Sequence, residues 1–120
     1  MILAEGIYGI YKPKGPSSHF IINRLRRLTH IKRIGHAGTL DPLASGVLVV
    51  GIGRAFTKQL TTEVAKEKEY VVTIKLGESS TTYDAEGEKK IYVVEAVPTL
   101  DQISKALESF VGVIKQMPPV

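Results

Sequence analysis

The chain is 120 residues long, with 43% hydrophobic and 23% charged residues, no Cys and a net charge of +4. Those proportions belong to a globular chain and exclude a disordered or fibrous one, and the length leaves room for one small domain burying roughly two-thirds of its unfolded surface. Without Cys there are no disulfides or thiolate metal sites. No apolar run approaches a membrane span and MILAEGIYG lacks the regions of a secretory signal, so a cytoplasmic location is expected.

GIYGIY, residues 6–11, reads as a short strand that the following KPKGP halts. Ser17 or Ser18 then caps a helix whose Ile21, Ile22, Leu25 and Leu28 fall at helical spacing. From Ile31 to Ser45 the periodicity fails, and a long loop is expected, of the kind that in compact domains usually carries function. VLVVGIG, residues 47–53, predicts a strand buried on both faces, and RAFTKQLTTEVAK, residues 54–66, a helix.

KEYVVTIKLG, residues 68–77, alternates with Tyr70, Val72, Ile74 and Leu76 on one face, and KKIYVVEA, residues 89–96, reads as its antiparallel partner across an irregular connection. Thr99 with Gln102 predicts a capping box opening a helix on Ile103, Ala106, Leu107 and Phe110, stopped by Gly112. VIKQMPPV starts as a last strand and ends on Pro-Pro. The order predicts an α+β domain with a mixed, largely antiparallel sheet flanked by helices. Its apolar faces are left uncovered after the final strand, so the chain is expected to be the front part of something longer.

Charge is unevenly spread. Residues 1–40 carry +6, from Lys12, Lys14, Arg24, Arg26, Arg27, Lys32 and Arg33 against Glu5, and the rest carries −2. A basic field of this kind suits a polyanion such as nucleic acid; a solvated cationic helix face accounts for it equally well. Gly51 to Phe56 imitates a dinucleotide fingerprint, but Phe56 stands where the third glycine or alanine belongs. No Walker sequence is present, and His19, His30 and His36 have no i, i+4 partner, so neither a cofactor nor a metal is expected.

GHAGTLDPLASGVL, residues 35–48, holds one carboxylate, Asp41. It reads in two ways. In an Asp-Pro turn the carboxylate bonds its own backbone two residues on. Alternatively, the glycines let substrate approach an ionised aspartate that acts as a nucleophile. Spacing alone leaves both open.

KPKGPSSH, GHAGTLDPLASGVL, GRAFTK, KEYVVTIKLG, TTYDAEG and GVIKQMPP occur in the order and spacing of the TruB family, and the chain resembles its bacterial members over essentially all 120 residues. That resemblance implies the pseudouridine synthase fold and isomerisation of uridine-55 in the T-loop of tRNA, with no metal and no cofactor. Asp41 falls on the catalytic aspartate, Tyr70 on the tyrosine that stacks on the flipped base, and His36 on a histidine near the flipped nucleotide. Lys12 lies in the KPKG motif and, with Arg26, Arg27, Lys32 and Arg33, is expected to contact RNA; Lys12 is also expected to shape the floor of the site. Asp84 matches a position near the RNA-facing region, where turn chemistry explains it equally well.

Ala37 and Ser45 stand where the family usually has Thr. Family members also continue past Pro119 into strands that supply a second tyrosine and an arginine pairing with the catalytic aspartate. Residues 1–120 are therefore expected to form the N-terminal portion of the catalytic domain, without a C-terminal RNA-binding domain, completed by a C-terminal half or a second chain. The competing expectation is a catalytically incompetent chain that binds or chaperones tRNA.

Overall fold

In the computed structural model, which describes residues 3–62 and 67–118, the alternation of GIYGIYK makes strand β1 at Gly6–Lys12. Pro13 has no N–H to donate and ends its ladder. Strand β3, Gly46–Ile52, pairs antiparallel with all of β1, and its other edge pairs with a three-residue strand β2, Ile34–His36, giving the order β1-β3-β2. Helix α1, Ser18–Thr29, opens on Ser17, whose hydroxyl accepts from the Phe20 N–H.

Because side chains alternate across a strand, Tyr8, Ile10, Leu48, Val50, Ile52 and Ile34 share one sheet face, and Ile21, Ile22 and Leu25 of α1 close it. Each fully buried aliphatic there contributes about 1.5–3 kcal/mol. Two expectations change. Leu28 is 65% exposed and Thr29 is buried in its place, its hydroxyl donating to the Leu25 carbonyl. β3 is buried on both faces only toward its end: Leu48, Val50 and Ile52 are sealed on one, and on the other Gly51 is buried whereas Val47 is 68% exposed.

On that opposite face Gly35 and Gly51 stand directly across from one another in β2 and β3. Helix α2, Arg54–Gln59, settles into the gap they leave, with Leu60 buried beneath it. Of the expected helix 54–66, regular structure ends at Gln59 and residues 63–66 lie outside the described residues.

The chain divides into two compact units, Met1–Glu69 and Tyr70–Val120. The single core expected from chain length belongs to the first. In the second, β4 at Glu78–Ser80 pairs antiparallel with β5 at Lys89–Ile91, and α3 at Leu100–Glu108 carries the expected capping box between Thr99 and Gln102. None of its described residues is buried. The chain is thus α+β with antiparallel sheets, but the strands expected at 68–77 and from 113 onward do not form among the described residues, and that at 89–96 is cut to Lys89–Ile91; Pro119 and Val120 lie outside them. Alternation marks the face a strand would bury, whereas the ladder itself needs a neighbour's N–H and C=O groups. Val71 shows the consequence at 98% exposure.

Gly51 tests how closely α2 approaches the sheet. A Cβ there would lie 2.9 Å from the Phe56 backbone, so Gly51→Ala is expected to cost roughly 1–3 kcal/mol in a urea melt; an unchanged midpoint would show that α2 does not rest on β3.

Candidate active site around Asp41

After β2 the ladder runs one residue further, the Ala37 N–H donating to the Val49 carbonyl at 2.9 Å. The chain then turns at Gly38, whose φ of +107° suits a residue without a Cβ. The ammonium of Lys68 sits where a Cβ of Gly38 would point, 2.5 Å from that position. From here the chain runs to Asp41 and back into β3 at Gly46.

Three segments meet on the backbone around Asp41. The hydroxyl of Ser18, a residue only 1% exposed, accepts from the Leu40 N–H and donates to the Leu40 carbonyl, both at 2.9 Å. The Asp41 carbonyl accepts from the Ala44 N–H at 3.0 Å, closing a main-chain turn. Pro42 holds φ near its ring value and confines Asp41 to extended conformations. Its carbonyl accepts twice, from the Gly15 N–H at 2.7 Å and from the Lys12 ammonium at 3.3 Å.

The Asp41 side chain contrasts with this. Asp41 is exposed, and its carboxylate takes part in no hydrogen bond or ion pair among the described residues. The turn is closed by main-chain atoms, so the carboxylate is not consumed in the side-chain bend that Asp-Pro sequences commonly adopt. With the backbone held on both sides, the carboxylate is left its two side-chain torsions to move.

Lys12 departs from its expected RNA contact. It is 0% exposed, and its ammonium donates to the carbonyls of Pro13 and Pro16, each at 2.9 Å, and of Pro42. An ammonium has three donors, and all three are used within the protein. Burying a charge without an acid beside it is costly, and three carbonyl dipoles offset that cost. The residue joins the KPKGP loop to the Asp41 loop from below, as a floor does.

Arg26 is similarly committed. Its guanidinium donates to the Lys32 and Ile34 carbonyls, each at 3.1 Å, and to the Asn23 side-chain oxygen at 3.0 Å, fastening α1 to the start of β2. Arg27, Lys32 and Arg33 are exposed and make no ion pair among the described residues. His36 lies opposite Val50 in β2, half-buried, with its Nδ1 buried and without a hydrogen-bond partner among the described residues. Tyr70 opens the second unit, exposed and outside any strand. Asp84, also in that unit, is engaged in turn chemistry: its carboxylate accepts from the Thr82 hydroxyl and the Glu86 N–H.

Lys12, Ser18 and Asp41 thus converge in the first unit. Ser18 and Lys68 escaped the sequence reading. One of two adjacent serines looks like the other, and nothing in KEY signals that its lysine reaches Gly38. No group of three or more His, Asp or Glu is placed to hold a metal among the described residues, and none of their helices is long and apolar enough to cross a membrane.

Residues 26–120 match a family model described as TruB family pseudouridylate synthase (N terminal domain). The tRNA pseudouridine synthase B of Thermobifida fusca (strain YX) is 47% identical over 122 residues, covering 98% of this chain and 40% of that protein. That of Mycobacterium tuberculosis (strain ATCC 25618 / H37Rv) is 47% identical over 117 residues, with 94% and 38% covered, and that of Protochlamydia amoebophila (strain UWE25) is 42% identical over 116 residues, with 97% and 44% covered. The chain spans about two fifths of the length of these curated relatives.

Lys12→Met keeps the stem of the side chain and removes the ammonium, leaving three carbonyls without this donor; a stability loss of about 3 kcal/mol is expected from denaturant midpoints, and a loss near zero would show that water serves those carbonyls. For Asp84, the hydrogen bond from Thr82 and then that from the Glu86 N–H hold the carboxyl below its ordinary value of 3.8. A depressed native pKa means that its stabilising contribution is present above that value and is lost as the pH falls through the native one. Thr82→Val is expected to shift the titration of the Asp84 carboxyl carbon, followed by NMR, upward; an unchanged curve would remove Thr82 as the cause.

Proposed function

Because the chain belongs to the TruB family of pseudouridylate synthases, we propose that it carries the nucleophile of a tRNA pseudouridine synthase acting in the cytoplasm on uridine-55 of the T-loop. Asp41 is that nucleophile. In the isomerisation the bond between N1 of the uracil and C1′ of the ribose breaks, the detached base turns, and a bond between C5 and C1′ replaces it. C5 loses its proton and N1 gains one, so no atoms are gained or lost overall.

The observation that carries this reading is the contrast at Asp41: an exposed carboxylate without a partner among the described residues, on a backbone held from both sides. A nucleophile gains from such an arrangement because its approach is set before the substrate arrives. A uridine within a folded loop reaches it only after leaving its stack. Tyr70 is proposed to stack on the extruded base and His36 to contact the nucleotide beside it. Arg27, Lys32 and Arg33 are proposed to meet phosphates of the T-arm, since their exposed charges remain available for contacts that position RNA. Arg26 and Lys12 serve instead through the backbones they fasten.

The test is incubation of T-arm stem-loop RNA with the chain, alone and supplied with the C-terminal half of a relative, followed by mapping of pseudouridine. Asp41→Asn is expected to abolish product, by about a thousandfold or more, while RNA binding in a filter assay stays within about twofold. Retained activity in that variant contradicts the assignment. Salt-sensitive binding by the unaltered chain with no pseudouridine formed would favour a binding or chaperone role.

A further inference from the structure

Ser17 and Ser18 are neighbours with different tasks. Ser17 caps α1, its oxygen accepting from the Phe20 N–H at 3.1 Å. The helix therefore has no need of the Ser18 hydroxyl, yet Ser18 is the serine that is buried, and both of its hydrogen bonds go to one residue, Leu40. One oxygen accepting the N–H and returning its own proton to the C=O of a single residue reproduces what a neighbouring strand gives an antiparallel partner. The N–H belongs to the Thr39–Leu40 peptide and the carbonyl to the Leu40–Asp41 peptide. Both planes leading into Asp41 are fixed by this one group.

We infer that Ser18 is a positioning residue for Asp41: its hydroxyl sets the direction from which the carboxylate approaches, and it contributes to turnover rather than to RNA binding or to the fold. This rests on the reading of Asp41 as the nucleophile. The hydroxyl differs from the Lys12 ammonium in where its bonds end. Lys12 also ties Pro13 and Pro16, its own loop, and so carries part of the structure. Ser18 reaches only Leu40, and the β3 core residues Val50 and Ile52 owe none of their ladder bonds to it.

The experiment compares Ser18→Ala with the unaltered full chain in two measurements. The first is amide hydrogen exchange: the Leu40 N–H should exchange at least about tenfold faster, with the Val50 and Ile52 amides unchanged. The second is kinetics on T-arm RNA: kcat should fall roughly tenfold to a hundredfold while the RNA dissociation constant stays within about twofold. Unchanged exchange at Leu40 overturns the inference, and so does loss of protection at Val50 and Ile52 together with Leu40, which would make Ser18 a folding residue. Faster exchange at Leu40 with an unaltered kcat overturns it as well. Should the unaltered chain form no pseudouridine even when supplied with the C-terminal half of a relative, the reading of Asp41 falls, while the exchange rate at Leu40 still decides whether Ser18 fixes the loop.

Discussion

The constraint on which the site depends is the satisfaction of main-chain polar groups on either side of Asp41. A loop between two strands has no ladder of its own, and its buried N–H and C=O groups must find partners elsewhere. Here the partners come from the segment between β1 and α1: Ser18 takes Leu40, and Gly15 with Lys12 takes Pro42. Asp41 is the residue between those two. Its carboxylate is exposed and unpaired among the described residues because its neighbours, rather than its own side chain, hold the loop in place.

The fold supplies that segment through plain packing. β1 delivers Lys12 to the end of the sheet opposite Gly46, the proline-rich loop turns the chain, and α1 returns across the face built from Leu48, Val50 and Ile52. The apolar stripe of α1 therefore determines where Ser18 lies, and the burial of Ile21, Ile22 and Leu25 is indirectly what holds Leu40. A change in that core would reach the site as a shift in the helix terminus.

Residues whose burial is decided by local periodicity were legible in the sequence. Ile21, Ile22 and Leu25, the alternation of β1 and the capping box of α3 follow from spacing alone. β2 was not, because Gly35 and His36 carry no strand signal and the pairing is set by β3. The segment at 68–77 shows the opposite failure, since its alternation is clear and no strand forms. The site divides along the same line. GHAGTLDPLASGVL drew attention to Asp41 through composition, and the resemblance assigned it a role. Motif and charge, however, placed Lys12 and Arg26 among the RNA contacts, where the structure turns all three donors of Lys12 and part of the Arg26 guanidinium to carbonyls. A count of charges does not register which of them the fold has already used.

If Asp41 is the nucleophile, its carboxylate bonds covalently to the nucleotide during turnover. Acid quenching of the chain during reaction with T-arm RNA, followed by digestion and peptide mass mapping, tests it most directly. The expected result is a nucleotide ester-linked to the peptide containing Asp41, through C1′ with the uracil released or through the uracil ring with N1–C1′ intact, and absent from the Asp41→Asn chain. Pseudouridine formed with no adduct on that peptide, or with the nucleotide attached to another residue, would contradict it.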